Sequence, residues 1–171
     1  MHQRDTVAQL RNVTRYFGSL NSLQALDNVN LEVRRGEIFG LVGAAGSGKS
    51  TALRIFAGRL TPSAGKVAVF GRRPRRRAVK ARLAYLPQNS APYRTGLLAR
   101  FAAAVSGLTG QKFHGEQPLS SQANGPARAV LWKQILIKQP SLILLDDPFL
   151  GLDSAGSGEL IESLRSLARQ G

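Results

Sequence analysis

The chain has 171 residues, enough for one domain with a sizeable core, and its 43% hydrophobic content suits a folded rather than a disordered protein. The absence of cysteine excludes a disulfide framework and a thiolate metal site, and no apolar run reaches the roughly 18 residues needed to span a bilayer. Lys and Arg number 24 against 10 Asp and Glu, an excess that favours anionic partners such as nucleotides, nucleic acids or anionic lipid headgroups.

Met1 to Leu10 is polar and mixed in charge, unlike a signal peptide, and a cytoplasmic location fits. Val7 to Val13 predicts a first strand, closed by a turn at Tyr16-Phe17-Gly18. Leu23 to Leu31 with Val33 predicts one or two more strands before the turn Arg35-Gly36-Glu37. Ile38 to Val42 is almost continuously apolar, the pattern of a strand buried on both faces. Glycines follow, then a helix over Ser50 to Leu60 with Leu53, Ile55, Phe56 and Leu60 on its apolar side.

Lys66 to Phe70 predicts a short strand, and Gly71 opens the run Arg72-Arg73-Pro74-Arg75-Arg76-Arg77, followed by Lys80 and Arg82. That run is either a specific polyanion site or a solvated loop at a membrane face. Aromatics, 6% of the chain, are too sparse for the stacking platforms of a single-strand nucleic-acid binder. A short helix is expected over Ala78 to Leu83, a strand over Leu83 to Leu86 and a helix over Leu97 to Leu108. Thr109 to Pro126 reads as loop, Ala127 to Lys138 as a helix stopped by Pro140, Leu142 to Leu145 as a buried strand, and Gly158 to Arg169 as an amphipathic helix. Helices alternating with buried strands predict an α/β domain with a mostly parallel sheet, which binds ligands at the carboxyl ends of its strands.

Two features stand at such ends. The loop Gly43-Ala44-Ala45-Gly46-Ser47-Gly48-Lys49-Ser50 places glycine, four residues, then Gly-Lys-Ser between a predicted strand and a predicted helix. Glycines let backbone N–H groups turn inward around phosphate oxygens, and the following helix aims its positive end at them. Lys49 supplies charge to the outer phosphates and Ser50 a hydroxyl to magnesium. At the end of Leu142-Ile143-Leu144-Leu145, Asp146 can hold the metal through water. Asp147 either orients the attacking water or merely ends the strand.

In these residues the chain closely resembles the ATP-binding subunits of ATP-binding-cassette transporters, from about Tyr16 to Gly171. The resemblance implies a P-loop NTPase-type α/β fold with a small N-terminal antiparallel β portion and a shortened helical subdomain. Its core would comprise residues 1–88 and 127–171, and the subdomain residues 89–126. It implies ATP and Mg2+ as cofactors, Gly43 through Thr51 as the phosphate loop, and Tyr16 as an aromatic stacked on adenine or partly buried at a strand end. Gln88 matches the glutamine that contacts magnesium or the water, and Gly151-Leu152-Asp153 a loop that crosses a dimer interface. Implied partners are membrane-spanning subunits and a second ATP-binding subunit, identical or not, with the chain peripheral at the inner face of the cell membrane.

Departures from the family pattern bear on activity. Asp147 stands where the family carries glutamate, and a carboxylate displaced by about 1 Å slows chemistry roughly a hundredfold. The family's Leu-Ser-Gly-Gly-Gln loop is represented either by Gln122-Ala123-Asn124-Gly125-Pro126 or by Leu119-Ser120-Ser121-Gln122. The stretch after Gln88 is short for the helical subdomain. Neither His2 nor His114 stands where the family has a histidine on the γ-phosphate, and that histidine follows a core strand expected after Gly171. These features are those of a fragment, a truncated product or a chain completed by another. Three readings follow: a transporter ATP-binding subunit, a degenerate nucleotide-binding module that barely hydrolyses ATP, and a soluble superfamily member acting on ribosomes or DNA.

Overall fold

The computed structural model describes residues 5–88, 133 and 135–170. The helix expected over 97–108, the loop over 109–126, both candidate signature registers and most of the helix over 127–138 lie outside those residues.

The N-terminal half forms a three-stranded antiparallel sheet. Strand β1 (Thr6–Phe17) lies between β2 (Leu23–Arg34) and β3 (Ala64–Val69). The first strand is longer than Val7 to Val13, and the second is one strand rather than two. Ala8, Leu10 and Val13 on β1 are almost wholly buried, because β1 is paired on both edges and covered by helix α1 (Lys49–Phe56). The ladder is irregular between Leu10 and Val13. Asn12 and Asn28 take positive φ there, which asparagine tolerates, and Asn12 Nδ2 donates to Asn28 Oδ1 at 2.9 Å.

Helix α1 buries Ala52, Ile55 and Phe56 and stops four residues before Leu60. Gly58, at φ 66°, accounts for the stop: its amide bonds Ile55 O and the chain leaves through the left-handed region. Helix α2 (Arg77–Lys80) leads into β4 (Leu83–Leu86), which pairs in parallel with β5 (Leu142–Leu145), Leu83 opposite Leu142 and Leu86 opposite Leu145. Residues 133 and 135–137 are helical. Helix α3 (Ser154–Gln170) begins four residues earlier than expected because Asp153 caps it, its Oδ1 accepting the Gly156 amide at 2.7 Å. Leu160 of α3 closes a second cluster with Leu86, Leu145 and Leu164.

One expectation is corrected. Residues 38–42 form no strand, and Ile38, Phe39 and Val42 are exposed, Val42 at 98%. A buried strand needs ladder partners as well as apolar side chains. Among the described residues β4 and β5 pair only with each other, and no strand pairs with 38–42. The parallel sheet is therefore represented by one parallel pair. No described helix is long and apolar enough to cross a membrane.

Candidate nucleotide site

The glycine loop links the extended stretch 38–42 to α1. Gly48, immediately before the helix, has φ 92°. A Cβ there would lie 2.4 Å from Ala25 O and 2.7 Å from Leu26 Cδ2, so only glycine lets β2 and the loop approach this closely. Gly48→Ala is expected to destabilise the fold by about 1–3 kcal/mol, read as a lower denaturant midpoint at unchanged slope.

No side chain caps α1 and no acidic residue occupies its first turn. The orphan N–H groups and the positive end of the helix therefore meet the loop uncompensated, which favours an anion. Lys49 folds over the loop. Its Nζ donates to Gly43 O and Ala44 O, each at 2.7 Å, and to Ser47 Oγ at 3.3 Å. The Ser47 amide reaches Ala44 O at 3.2 Å across the turn at Ala45 and Gly46.

A second set of residues converges from 96 positions away. The Ser50 hydroxyl donates to Asp146 Oδ1 at 2.8 Å, joining the first turn of α1 to the end of β5. Asp146 is only 3% exposed, and its amide donates to Leu86 O at 2.9 Å. A hydroxyl and a carboxylate are hard oxygen donors of the kind magnesium takes, generally with phosphate and water completing the shell. The donor set and the uncompensated helix end thus fit a magnesium-bound polyphosphate.

Tyr85 on β4 stands behind the carboxylate, its hydroxyl 3.5 Å from Asp146 Oδ2. Burial raises the Tyr85 pKa, the Asp146 charge raises it further, and Arg54 partly opposes both. The folded state holds this proton more tightly than the unfolded chain does. The contribution to stability is therefore present below the ordinary value of 10.0 and lost as pH rises through the higher folded value. Tyr85→Phe should flatten the alkaline limb of a stability–pH curve, measured by urea unfolding on both sides of pH 10.

Parallel pairing of β4 and β5 brings Gln88, Asp146 and Asp147 to the same sheet edge, two or fewer residues past the strand ends. Gln88 is half-buried; Asp147 is exposed with φ 48°. Between the loop and the ends of β1 and β2 lies a cleft of about 210 Å³ lined by Phe17, Leu23, Ala25 and residues 46–51, Thr51 among them. Tyr16 does not line it. Successive strand residues point to opposite faces, so Phe17 takes the cleft side expected for Tyr16, whose amide instead donates to Ser63 Oγ. The sequence signal was there, an aromatic pair at the strand end, but not which member faced the loop. Phe17 also carries the Arg15 guanidinium 4.6 Å from its ring centroid.

Residues 26–150 match the ABC transporter family. A zinc import ATP-binding protein, ZnuC, of Halorhodospira halophila is 32% identical over 97% of this chain and 65% of its own length. A putative ABC transporter ATP-binding protein of Methanosarcina mazei is 29% identical over 95% of the chain and 64% of its own. ABC transporter G family member 20 of Dictyostelium discoideum is 32% identical over 95% of the chain and 24% of its own. The chain thus spans less than two thirds of the length of each. A dimeric ATP-binding cassette in a post-hydrolysis state with ADP and Pi superposes with TM-score 0.72 at 23% identity, covering 95% of this chain and 83% of that one. A nucleotide-free cassette gives 0.69 at 19%, covering 97% and 78%. These likenesses establish the fold, the α/β P-loop NTPase type with its small antiparallel portion.

Proposed function

This chain belongs to the ABC transporter family, and on that premise we propose that it is an ATP-binding subunit that holds ATP with Mg2+ on the Gly43–Ser50 loop. In the same reading it couples binding and hydrolysis to substrate movement through membrane-spanning partner subunits, as half of a dimer of ATP-binding subunits. The observation that carries the reading is the Ser50–Asp146 hydrogen bond at 2.8 Å, which joins the two nucleotide motifs in one polar centre.

The loop amides and the start of α1 bind phosphate oxygens, and Lys49 neutralises the outer ones. Ser50 and Asp146 would hold the metal, and Gln88 would reach it or the water from the end of β4. Thr51 and Phe17 border the nucleotide, with Tyr16 one residue away on the other strand face. A bound magnesium would supply positive charge to offset the negative charge that develops during transfer. Asp147 orients the attacking water.

A second reading, ATP binding with slow hydrolysis, is favoured by Asp147, whose side chain is one methylene shorter than the family's glutamate and leaves an exposed position at φ 48°. The isolated chain is therefore expected to bind ATP with magnesium and to release phosphate slowly. Asp147→Glu should raise turnover by about 10- to 100-fold at nearly constant ATP affinity. Phosphate-release kinetics check this: fast turnover by the unaltered chain, abolished in Lys49→Ala, would remove the second reading.

A further inference from the structure

Between Ile38 and Gly115 the chain contains no Asp or Glu, and the rest of the sequence carries as many carboxylates as cations. The whole net charge of +14 therefore falls on this one stretch. Its densest part, Arg72 to Lys80, is held by the fold. Val69 and Arg72 exchange both backbone hydrogen bonds, at 2.8 and 3.0 Å, across a tight turn with Phe70 and Gly71 at positive φ. Pro74 is buried, its backbone against Gly58, where a Cβ would stand 2.9 Å from the proline carbonyl carbon. The Arg82 guanidinium lies 4.2 Å over the Phe70 ring and its Nε donates to Ser141.

Around these anchors Arg72, Arg73, Arg75, Arg76, Arg77 and Lys80 are all exposed. The ion pairs Arg34–Glu32, Lys133–Glu159 and Arg165–Glu162 all lie outside the cluster. Like charges fixed this closely repel one another, and an anionic partner relieves that repulsion. The cluster precedes the amino end of β4, whereas the nucleotide site lies at the carboxyl ends of β4 and β5. It is a separate surface.

We propose that the Arg72–Lys80 surface docks on the anionic headgroups of a lipid bilayer. Arginine guanidinium suits phosphate, which lipids and nucleic acids share, but the surroundings favour the bilayer. No aromatic residue lies between 71 and 84 to stack on bases, and α2 is four residues long, too short to fill a major groove. A headgroup layer needs neither feature; a dispersed group of four to eight cations is enough. From the proposed function this inference takes only that the chain works beside a membrane.

The test is flotation of the full chain, without nucleotide, on vesicles of phosphatidylcholine alone or with added phosphatidylglycerol at physiological ionic strength. Binding is expected to the anionic vesicles only. The triple variant Arg73→Gln/Arg76→Gln/Arg77→Gln should lose roughly fivefold per arginine, on the order of a hundredfold in all. The corresponding triple lysine variant should bind the vesicles within a few fold of the unaltered chain, which excludes misfolding as the cause. Equal binding to neutral vesicles, an unaffected glutamine variant, or tighter retention on RNA than on vesicles at the same salt would each overturn the proposal. ATP binding measured on the same preparations separates the two readings. Intact ATP binding without flotation overturns the docking surface alone, and flotation without ATP binding overturns the nucleotide reading alone.

Discussion

Lys49→Ala is expected to weaken ATP binding by about 10- to 100-fold while leaving the fold nearly as stable as before. A hydrogen bond to a charged group contributes about 1.5–3 kcal/mol, and the ammonium is aimed at the mouth of a loop whose other donors are backbone amides. Its present partners, Gly43 O, Ala44 O and Ser47 Oγ, belong to exposed residues that water can satisfy once the lysine is gone. Lys49→Arg should not restore affinity. The planar guanidinium is wider than the compact ammonium that fits between two carbonyls at 2.7 Å. Nucleotide titration of the three proteins, alongside their urea unfolding curves, checks both statements; an alanine variant that binds ATP normally would remove Lys49 from the site.

The second large effect is expected at Asp146. Asp146→Asn retains an oxygen that can accept from Ser50 but loses the charge at the end of β5. Affinity for ATP measured without metal should change by less than about threefold, whereas the gain on adding magnesium should fall by roughly 30-fold, the loss of one charge-assisted contact. Titrations with and without magnesium read this directly. Ser50→Ala should show the same pattern more weakly, since a neutral ligand is lost. A variant at Asp146 that weakened metal-free binding just as much would mean that the carboxylate acts by holding the loop rather than the ion.

The motifs were legible in the sequence because each is local and dictated by backbone chemistry. Gly43 to Ser50 is readable as a phosphate loop from its glycines and lysine alone, and Leu142 to Leu145 as a buried strand that presents Asp146. Their meeting was implied by both standing at the carboxyl ends of predicted strands; the 2.8 Å hydrogen bond from Ser50 to Asp146 supplies the contact. What misled was context that a linear pattern does not carry. Residues 38–42 are apolar enough for a buried strand, yet a strand also needs neighbours in its ladder, and β4 and β5 pair elsewhere. Tyr16 and Phe17 are equally aromatic, and strand alternation chose Phe17 for the cleft. The end of α1 at Phe56 rather than Leu60 follows from Gly58, whose left-handed conformation outweighs the apolar periodicity beyond it.

Calorimetric titration of ATP with magnesium into the folded chain asks whether the inward-facing amides before α1 grip a triphosphate at all. One saturable site, present in the unaltered protein and lost in Lys49→Ala, is the expected result. Folded protein that takes up no nucleotide in a saturable way would contradict it.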